Sequence, residues 1–144
     1  YVSLFKGPKT KLREVQRFDD ARTGKKNQVV SVRFTVNGED FLALNGGPAF
    51  TFNEAVSFVV TCKDQREIDT LWKRLTANGG TESMCGWLKD KYGVSWQIIP
   101  ENMGKLIAHP AALQAMFGMR KLDIAALKAA AYSTTKTKTA KRTR

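Results

Sequence analysis

The sequence predicts an α+β fold with an antiparallel or mixed sheet and helices towards the C-terminus. Residues 28–36 alternate apolar and polar side chains and are rich in Val, which is typical of a strand. Residues 64–75 instead repeat apolar side chains at helical spacing. Helical spacing returns between 110 and 131. The predicted order is three strands, then a strand, a helix and two strands, and finally helices.

The first three predicted strands lie in the N-terminal third of the chain. Residues 11–18 alternate in part, and the polar residues 19–27 form a loop before the strand at 28–36. Asn37-Gly38 is a strong hairpin signal, because both positions accept the positive φ of a tight turn. The return strand is therefore Glu39 to Leu44.

A fourth strand at 56–62 follows the sheet-breaking turn at 45–48 and leads into the best-defined helix. Asp64 is placed to cap this helix, and Glu67 stands three residues later in a capping-box position. One apolar stripe is formed by Ile68, Leu71, Trp72 and Leu75. Because Asn78-Gly79-Gly80 ends the helix, we expect the stripe to pack on the sheet.

Two further strands are predicted at 84–88 and 94–99, joined by the turn at 90–93 and ended by Pro100. A helix then begins at Pro110, which suits a first helical position, and closes at Gly118. Its apolar face is predicted to contain Leu113, Met116 and Phe117. A last helix has Asp123 as its cap, and its apolar residues are Ile124, Leu127 and Ala131.

The amino-acid composition indicates a folded protein and argues against a membrane-spanning or disulfide-rich one. The 144 residues are 42% hydrophobic, which suits a folded core. No apolar run approaches the roughly 18–20 residues that cross a bilayer. The N-terminal residues lack a signal-peptide pattern. Cys62 and Cys85 are too few for a disulfide scaffold and fit a reducing compartment, so we expect a cytoplasmic protein.

The net charge of +11 is concentrated partly at the C-terminus. Residues 133–144 carry five positive charges and no negative one, and they show no apolar periodicity. We therefore predict a disordered basic tail. A solvating terminus is favoured over a nucleic-acid arm, because no recognition motif accompanies the basic residues.

Four segments carry a resemblance to a known family. They are FLALNGGP at 41–48, FNEAVSF at 52–58, CGWLKDKYGVSWQIIP at 85–100 and MRKLDIAAL at 119–127. Together they resemble the PhnB-like, or 3-demethylubiquinone-9 3-methyltransferase-like, family of the vicinal oxygen chelate superfamily, which includes the glyoxalase and bleomycin-resistance folds. The resemblance spans roughly residues 1–132.

The resemblance implies paired βαβββ modules that form a cup-shaped sheet. The modules would span about 1–48 and 54–100, with C-terminal helices at 103–132 and the tail at 133–144. The family's first strand precedes the segment with which this chain starts. We therefore expect the first module to lack that strand, leaving an open sheet edge that an isologous homodimer could cover.

The resemblance also locates the positions at which metal-dependent members hold a divalent ion. The His position of the second module falls on Ser57 and the Glu position on Gln97, and neither residue is a good metal ligand. The single histidine, His109, stands just before Pro110, outside the predicted sheet. We therefore predict no metal and no cofactor.

What remains is a pocket for a small molecule in the predicted cup. Strand alternation would place Ser57, Ser95 and Gln97 on its inner face, with Asn45 at a strand end and Trp87 near the rim. We expect a small organic ligand, although the same side chains could simply fill the interior. The alternative is an enzyme, either a metal-assisted glyoxalase or dioxygenase relative or the methyltransferase that the family name suggests.

Overall fold

A computed structural model of the chain describes residues 1–21 and 24–140, of which 134–140 are described by their backbone only. Within these residues the elements are β1 (Lys11–Asp20), β2 (Lys25–Val36), β3 (Glu39–Leu44), β4 (Ser57–Cys62), α1 (Gln65–Leu75), β5 (Thr81–Glu82), β6 (Trp87–Lys89), β7 (Ser95–Pro100), α2 (Met103–Ile107), α3 (Pro110–Phe117) and α4 (Ile124–Ala140). The predicted α+β class is confirmed. The chain divides into two compact units, Tyr1–Thr51 and a second that begins at Phe52.

The first unit is a three-stranded antiparallel sheet in the order β1-β2-β3. Asn37 and Gly38 have φ values of 52° and 97°, so the predicted tight hairpin between β2 and β3 is confirmed. The polar loop is shorter than predicted, because β1 continues to Asp20 and β2 already begins at Lys25. Residues 22 and 23 lie outside the described part of the chain.

Aromatic side chains form the core of the first unit. The ring of Phe34 on β2 stacks on Phe41 of β3 at 5.4 Å between centroids, and Tyr1 lies 6.1 Å away from it. Phe5 is also buried. These rings bury part of one face of the small sheet, and such apolar burial is the main stabilising contribution available to three strands.

The second unit contains a mixed sheet in the order β4-β7-β6-β5. β4 runs parallel to β7, while β6 is antiparallel to β7 and to β5. The predicted strand at 84–88 is partly wrong, since β6 begins only at Trp87. Cys85 and Gly86 adopt left-handed φ values of 58° and 84°, which interrupt the extended backbone.

Helix α1 has the predicted cap and the predicted buried stripe. The Asp64 Oδ1 accepts a hydrogen bond from the Glu67 N–H at 2.8 Å, and Glu67 Oε2 accepts one from the Lys63 N–H at 2.9 Å. The four stripe residues are buried. Gly80 is required after the helix, because a Cβ there would lie 2.4 Å from the Leu75 carbonyl oxygen.

The stripe of α1 packs against one face of the four-stranded sheet. This helix-covered face consists of the buried residues Cys62, Leu88, Trp96 and Ile98. They come from β4, β6 and β7 and alternate with residues that point to the opposite side of the sheet. The second unit therefore has a buried apolar layer on the α1 side of its sheet, with Phe58 at its partly exposed edge.

The C-terminal helices form a second apolar cluster, made of Met103, Leu106, Leu122 and Leu127, with Ile99 of β7 packed against it. Pro110 is the first residue of α3, and Gly118 caps its C-terminal end, as predicted. The predicted apolar face of α3 is partly wrong, because Ala112 is its buried residue and Phe117 is exposed.

Helix α4 begins directly after its predicted cap, since Asp123 Oδ1 accepts from the Ala126 N–H at 3.0 Å. Its backbone continues to Ala140, so part of the basic segment predicted to be disordered is helical. The preceding Ala-rich turns favour continuation of the helix. Residues 141–144 lie outside the described part. None of the helices described is long and apolar enough to cross a membrane.

Candidate functional site

The candidate site is the face of the four-stranded sheet opposite α1. Strand register defines it, because residues directly opposite each other on paired strands point to the same side. Ser57 pairs with Ser95, and Ser95 with Lys89, so these three form one row. Val59 pairs with Gln97, and Gln97 with Trp87, which gives a second row. We call these six residues the open face.

A side-chain hydrogen bond joins the two rows. Gln97 Nε2 donates to Ser57 Oγ at 2.9 Å. Because the hydroxyl accepts this bond, its own O–H stays available to donate. The amide of Gln97 likewise keeps a second N–H and its carbonyl oxygen. Two of the predicted site residues are therefore in direct contact, and together they retain both donors and an acceptor.

Ser95 is the most deeply buried polar side chain of the open face. It is 1% exposed, and its hydroxyl has no hydrogen-bond partner in the described part of the chain. A buried hydroxyl without a partner costs about 1–3 kcal/mol relative to a paired one. Such groups are rare in folded proteins and often mark the place of a water molecule or a ligand.

Lys89 supplies the positive charge of the open face. Its ammonium group lies 2.5 Å from Glu54 Oε1, and the two side chains are 34% and 62% exposed. The hydrogen bond from Lys89 is the main cause that lowers the pKa of Glu54, with a smaller contribution from a backbone hydrogen bond; burial acts weakly in the opposite direction. Glu54 belongs to the irregular segment 52–56 before β4.

Trp87 differs from the other two tryptophans of the second unit. The indole N–H of Trp72 donates to Glu82 Oε1 at 2.6 Å, and that of Trp96 donates to Asp90 Oδ2 at 2.9 Å. The half-buried Trp87 makes no such bond with the described residues. It therefore offers both a flat apolar surface and an unused donor beside Gln97.

The structure thus brings together four of the five predicted site residues, Ser57, Trp87, Ser95 and Gln97. Asn45 lies in the first unit, just after β3. Its side-chain Nδ2 donates to the Val29 carbonyl oxygen at 3.2 Å, and its backbone N–H donates to the Val30 carbonyl oxygen at 2.7 Å. Asn45 therefore ties the end of β3 to β2, which is a structural role within that unit.

The open face does not fit a divalent metal. Ser57 and Gln97, the positions at which the resemblance puts the ligands, are neutral groups that bond to each other. No group of three or more His, Cys, Asp or Glu side chains in residues 1–21 and 24–140 could hold a metal ion. His109 is exposed at the N-cap of α3.

The two cysteines are free thiols that do not belong to the open face. Cys62 is fully buried on the helix-covered face, and burial, followed by the negative charges of Glu67 and Asp64, raises its pKa to about 12. It therefore stays protonated and unreactive at neutral pH. Cys85 is half-buried, with its Sγ 3.6 Å from the Met116 carbonyl oxygen.

Comparison with known proteins gives one family. A family model described as 3-demethylubiquinone-9 3-methyltransferase matches residues 1–99. A solved structure titled as a putative 3-demethylubiquinone-9 3-methyltransferase, the PhnB protein from Bacillus cereus, is 36% identical, with a TM-score of 0.59 over 69% of this chain and 84% of that one. A protein from Pseudomonas aeruginosa shares the fold at 19% identity and a TM-score of 0.51, over 68% of this chain and 82% of its own. None of the curated proteins matches the chain.

Proposed function

Because this chain belongs to the 3-demethylubiquinone-9 3-methyltransferase, or PhnB-like, family, we propose that it binds a small organic molecule on the open face without a metal ion. The open face combines the apolar surfaces of Val59 and Trp87 with a few polar groups. That composition is usual for small-molecule sites, where apolar area provides affinity and the polar groups fix the orientation. The cup expected from the family would require both units and stays a prediction.

The hydrogen bond between Gln97 and Ser57 is the observation that carries this proposal. A metal-dependent relative would need negatively charged or imidazole ligands at these two positions. Here a neutral amide and a neutral hydroxyl bond to each other at 2.9 Å and keep unused donors and an acceptor. Such groups suit the oxygen atoms of an organic ligand better than they suit a cation.

The family description favours methyl transfer as a second candidate function. A nucleotide-type methyl donor is usually held where a strand, a glycine-rich turn and a helix N-terminus follow one another. Gly46 and Gly47 do follow β3, yet the next helix begins only at Gln65, after another strand. This turn therefore lacks the helix that would receive the donor, which supports binding as the first candidate.

We further propose that the protein is a cytoplasmic homodimer. The free thiols support a reducing compartment. The outer strands β1 and β3 of the first sheet each offer an edge to which a strand of a second copy could pair. Molecular mass in solution, measured by light scattering, would test the dimer.

Two measurements test metal-free binding. Mass spectrometry after incubation with nickel, zinc, manganese and iron(II) should find no stoichiometric metal. A thermal-shift screen of small aromatic and aliphatic compounds should then find ligands that stabilise the wild-type protein but not the Gln97→Ala variant. One bound metal per chain, or stabilisation that survives in Gln97→Ala, would contradict the proposal.

A further inference from the structure

The segment 52–56 reaches the far strand of the open face through Glu54. Ser57, Ser95 and Lys89 form one row over β4, β7 and β6, so Lys89 lies two strand spacings, about 10 Å, from β4. Glu54 is only three residues before Ser57, yet its carboxylate contacts the Lys89 ammonium. Together, the segment and the side chains of this ion pair therefore span the middle strand of the row, where Ser95 stands.

A second contact supports this path. A Cβ placed on Gly93, in the turn between β6 and β7, would lie 3.9 Å from the Cβ of Phe52. The start of the segment therefore lies beside that turn. This position agrees with the burial of Ser95, which is 1% exposed on β7 between its half-buried neighbours Ser57 of β4 and Lys89 of β6.

Donors outnumber acceptors beneath this segment. Lys89 carries three N–H groups, Ser57 and Ser95 each have an O–H to give, and the Trp87 indole adds another N–H. Glu54 is the carboxylate that pairs with Lys89. The Ser95 hydroxyl stays unpaired. Glu54 therefore pairs with Lys89 but leaves the Ser95 hydroxyl to a further acceptor.

We propose that the ligand of the open face is an organic acid whose carboxylate replaces Glu54 on Lys89 and accepts the hydrogen bond of Ser95. This inference rests on the proposed function and specifies its ligand class. A carboxylate has two oxygens and donates nothing when ionised, so one oxygen can bond to Lys89 while the other accepts from Ser95. The rest of the molecule would lie on Val59 and Trp87.

Glu54 would then act as an internal competitor. Its side chain is 62% exposed, so water screens its ion pair with the half-buried Lys89, and exchanging one carboxylate for another on Lys89 costs little. The entering carboxylate gains the Ser95 hydrogen bond that Glu54 does not make. Displacement of Glu54 would also release the segment 52–56 from Lys89, which opens the way to the buried hydroxyl.

Benzoate and benzamide are suitable probes, because they have the same shape and only benzoate is charged. Binding to the full chain is followed through the indole N–H signals of the three tryptophans in nuclear magnetic resonance, with Trp87→Phe used for assignment. We expect benzoate to shift the Trp87 signal and to bind about tenfold more tightly than benzamide.

Variants of charged and polar residues test which side chain binds the carboxylate of benzoate. Lys89→Met should weaken benzoate binding about tenfold, and Lys89→Arg should retain most of it. Lys121→Met is the matched control, because Lys121 forms a comparable ion pair with Asp69 at 2.6 Å and should leave binding unchanged. Glu54→Gln should strengthen binding about threefold, since the competitor loses its charge. Ser95→Ala should weaken binding without lowering the thermal stability.

Three outcomes separate the inference from the function on which it rests. Equal affinity for benzoate and benzamide, with a shifted Trp87 signal, would overturn the inference and leave the proposed function intact. Unchanged benzoate affinity in Lys89→Met would also overturn it. No shift of the Trp87 signal with either probe, nor with any ligand from the screen, would contradict the inference and the proposed function together.

Discussion

The two faces of the four-stranded sheet are formed by the same three strands but differ in burial and in hydrogen bonding. On the helix-covered face, Cys62, Leu88 and Ile98 are fully or almost fully buried, and the Trp96 indole bonds to Asp90. On the open face, Val59 is 55% exposed and the Ser95 hydroxyl has no partner in the described part of the chain. The helix-covered face is apolar, whereas the open face is partly polar and leaves the Ser95 hydroxyl unpaired among the described residues.

Buried core side chains and side chains of the proposed binding face therefore alternate residue by residue along β4, β6 and β7. Ile98 follows Gln97 directly, yet one side chain contributes to the core and the other bonds to Ser57. Because side chains on a strand alternate between faces, neighbouring substitutions are expected to have unlike consequences. Single substitutions on the two sides of one strand can thus separate the two roles.

The greatest loss of stability is expected from truncating a core side chain. Ile98→Ala should lower the free energy of unfolding by about 3 kcal/mol, because it leaves a cavity between the sheet and α1. Val59→Ala, which removes side-chain carbons from the open face, should change it by less than about 0.5 kcal/mol. Urea unfolding of both variants makes the comparison. Similar losses in the two variants would mean that the faces do not differ as described.

The second-largest loss of stability is expected at Asp90, the hydrogen-bond partner of Trp96 on the helix-covered face. Asp90 accepts hydrogen bonds from the N–H groups of Tyr92 and Val94 and from the Trp96 indole. Asp90→Asn turns one oxygen into a donor that faces another donor, which should cost about 2 kcal/mol by urea unfolding. Asp40→Asn, an exposed position on β3, is the control and should cost little. An Asp90→Asn variant that is as stable as the wild-type protein would contradict the hydrogen bonds that Asp90 accepts.

A smaller loss of stability is expected at high pH, where the Cys62 thiol of the unfolded chain ionises. Its pKa is raised from 9.0 to about 12 in the folded protein, so the folded state keeps a proton that the unfolded chain loses. Stability is therefore full below pH 9 and falls as the pH rises towards 12, by about 1 kcal/mol between pH 9 and 10. Cys62→Ala should lack this loss, and Cys85→Ala should retain it. Equal slopes in all three proteins would contradict the burial of Cys62.

The features that the sequence predicts correctly are those set by nearby residues. The Asn37-Gly38 turn and the Asp64 cap depend on backbone conformation and side chains within four residues, and both are found as predicted. The strand at 84–88 is wrong at its start because distant backbone decides it. Cys85 and Gly86 donate hydrogen bonds to the carbonyl oxygens of Met119 and Arg120. No local pattern contains that contact.

In the candidate site, too, the sequence predicts what local alternation determines and misses what depends on distant contacts. Alternation along β4 and β7, together with the family resemblance, is enough to predict Ser57, Ser95 and Gln97 from the sequence. Glu54 and Lys89 are missed, because their contact depends on the register of β6 and on the path of the segment 52–56. Parity counted from Trp87 would have placed Lys89 on the same face, whereas nothing in the sequence pairs it with Glu54.

A map of ligand contacts on the labelled full chain by nuclear magnetic resonance decides whether the open face is the binding site. A compound selected only for raising the thermal stability is titrated, so that no residue is assumed in advance. We predict that the shifted backbone signals belong to the open face and to the segment 52–56, while those of α1 stay in place. Shifts centred on α1 or on the first unit alone would contradict the claim that ligands bind to the open face.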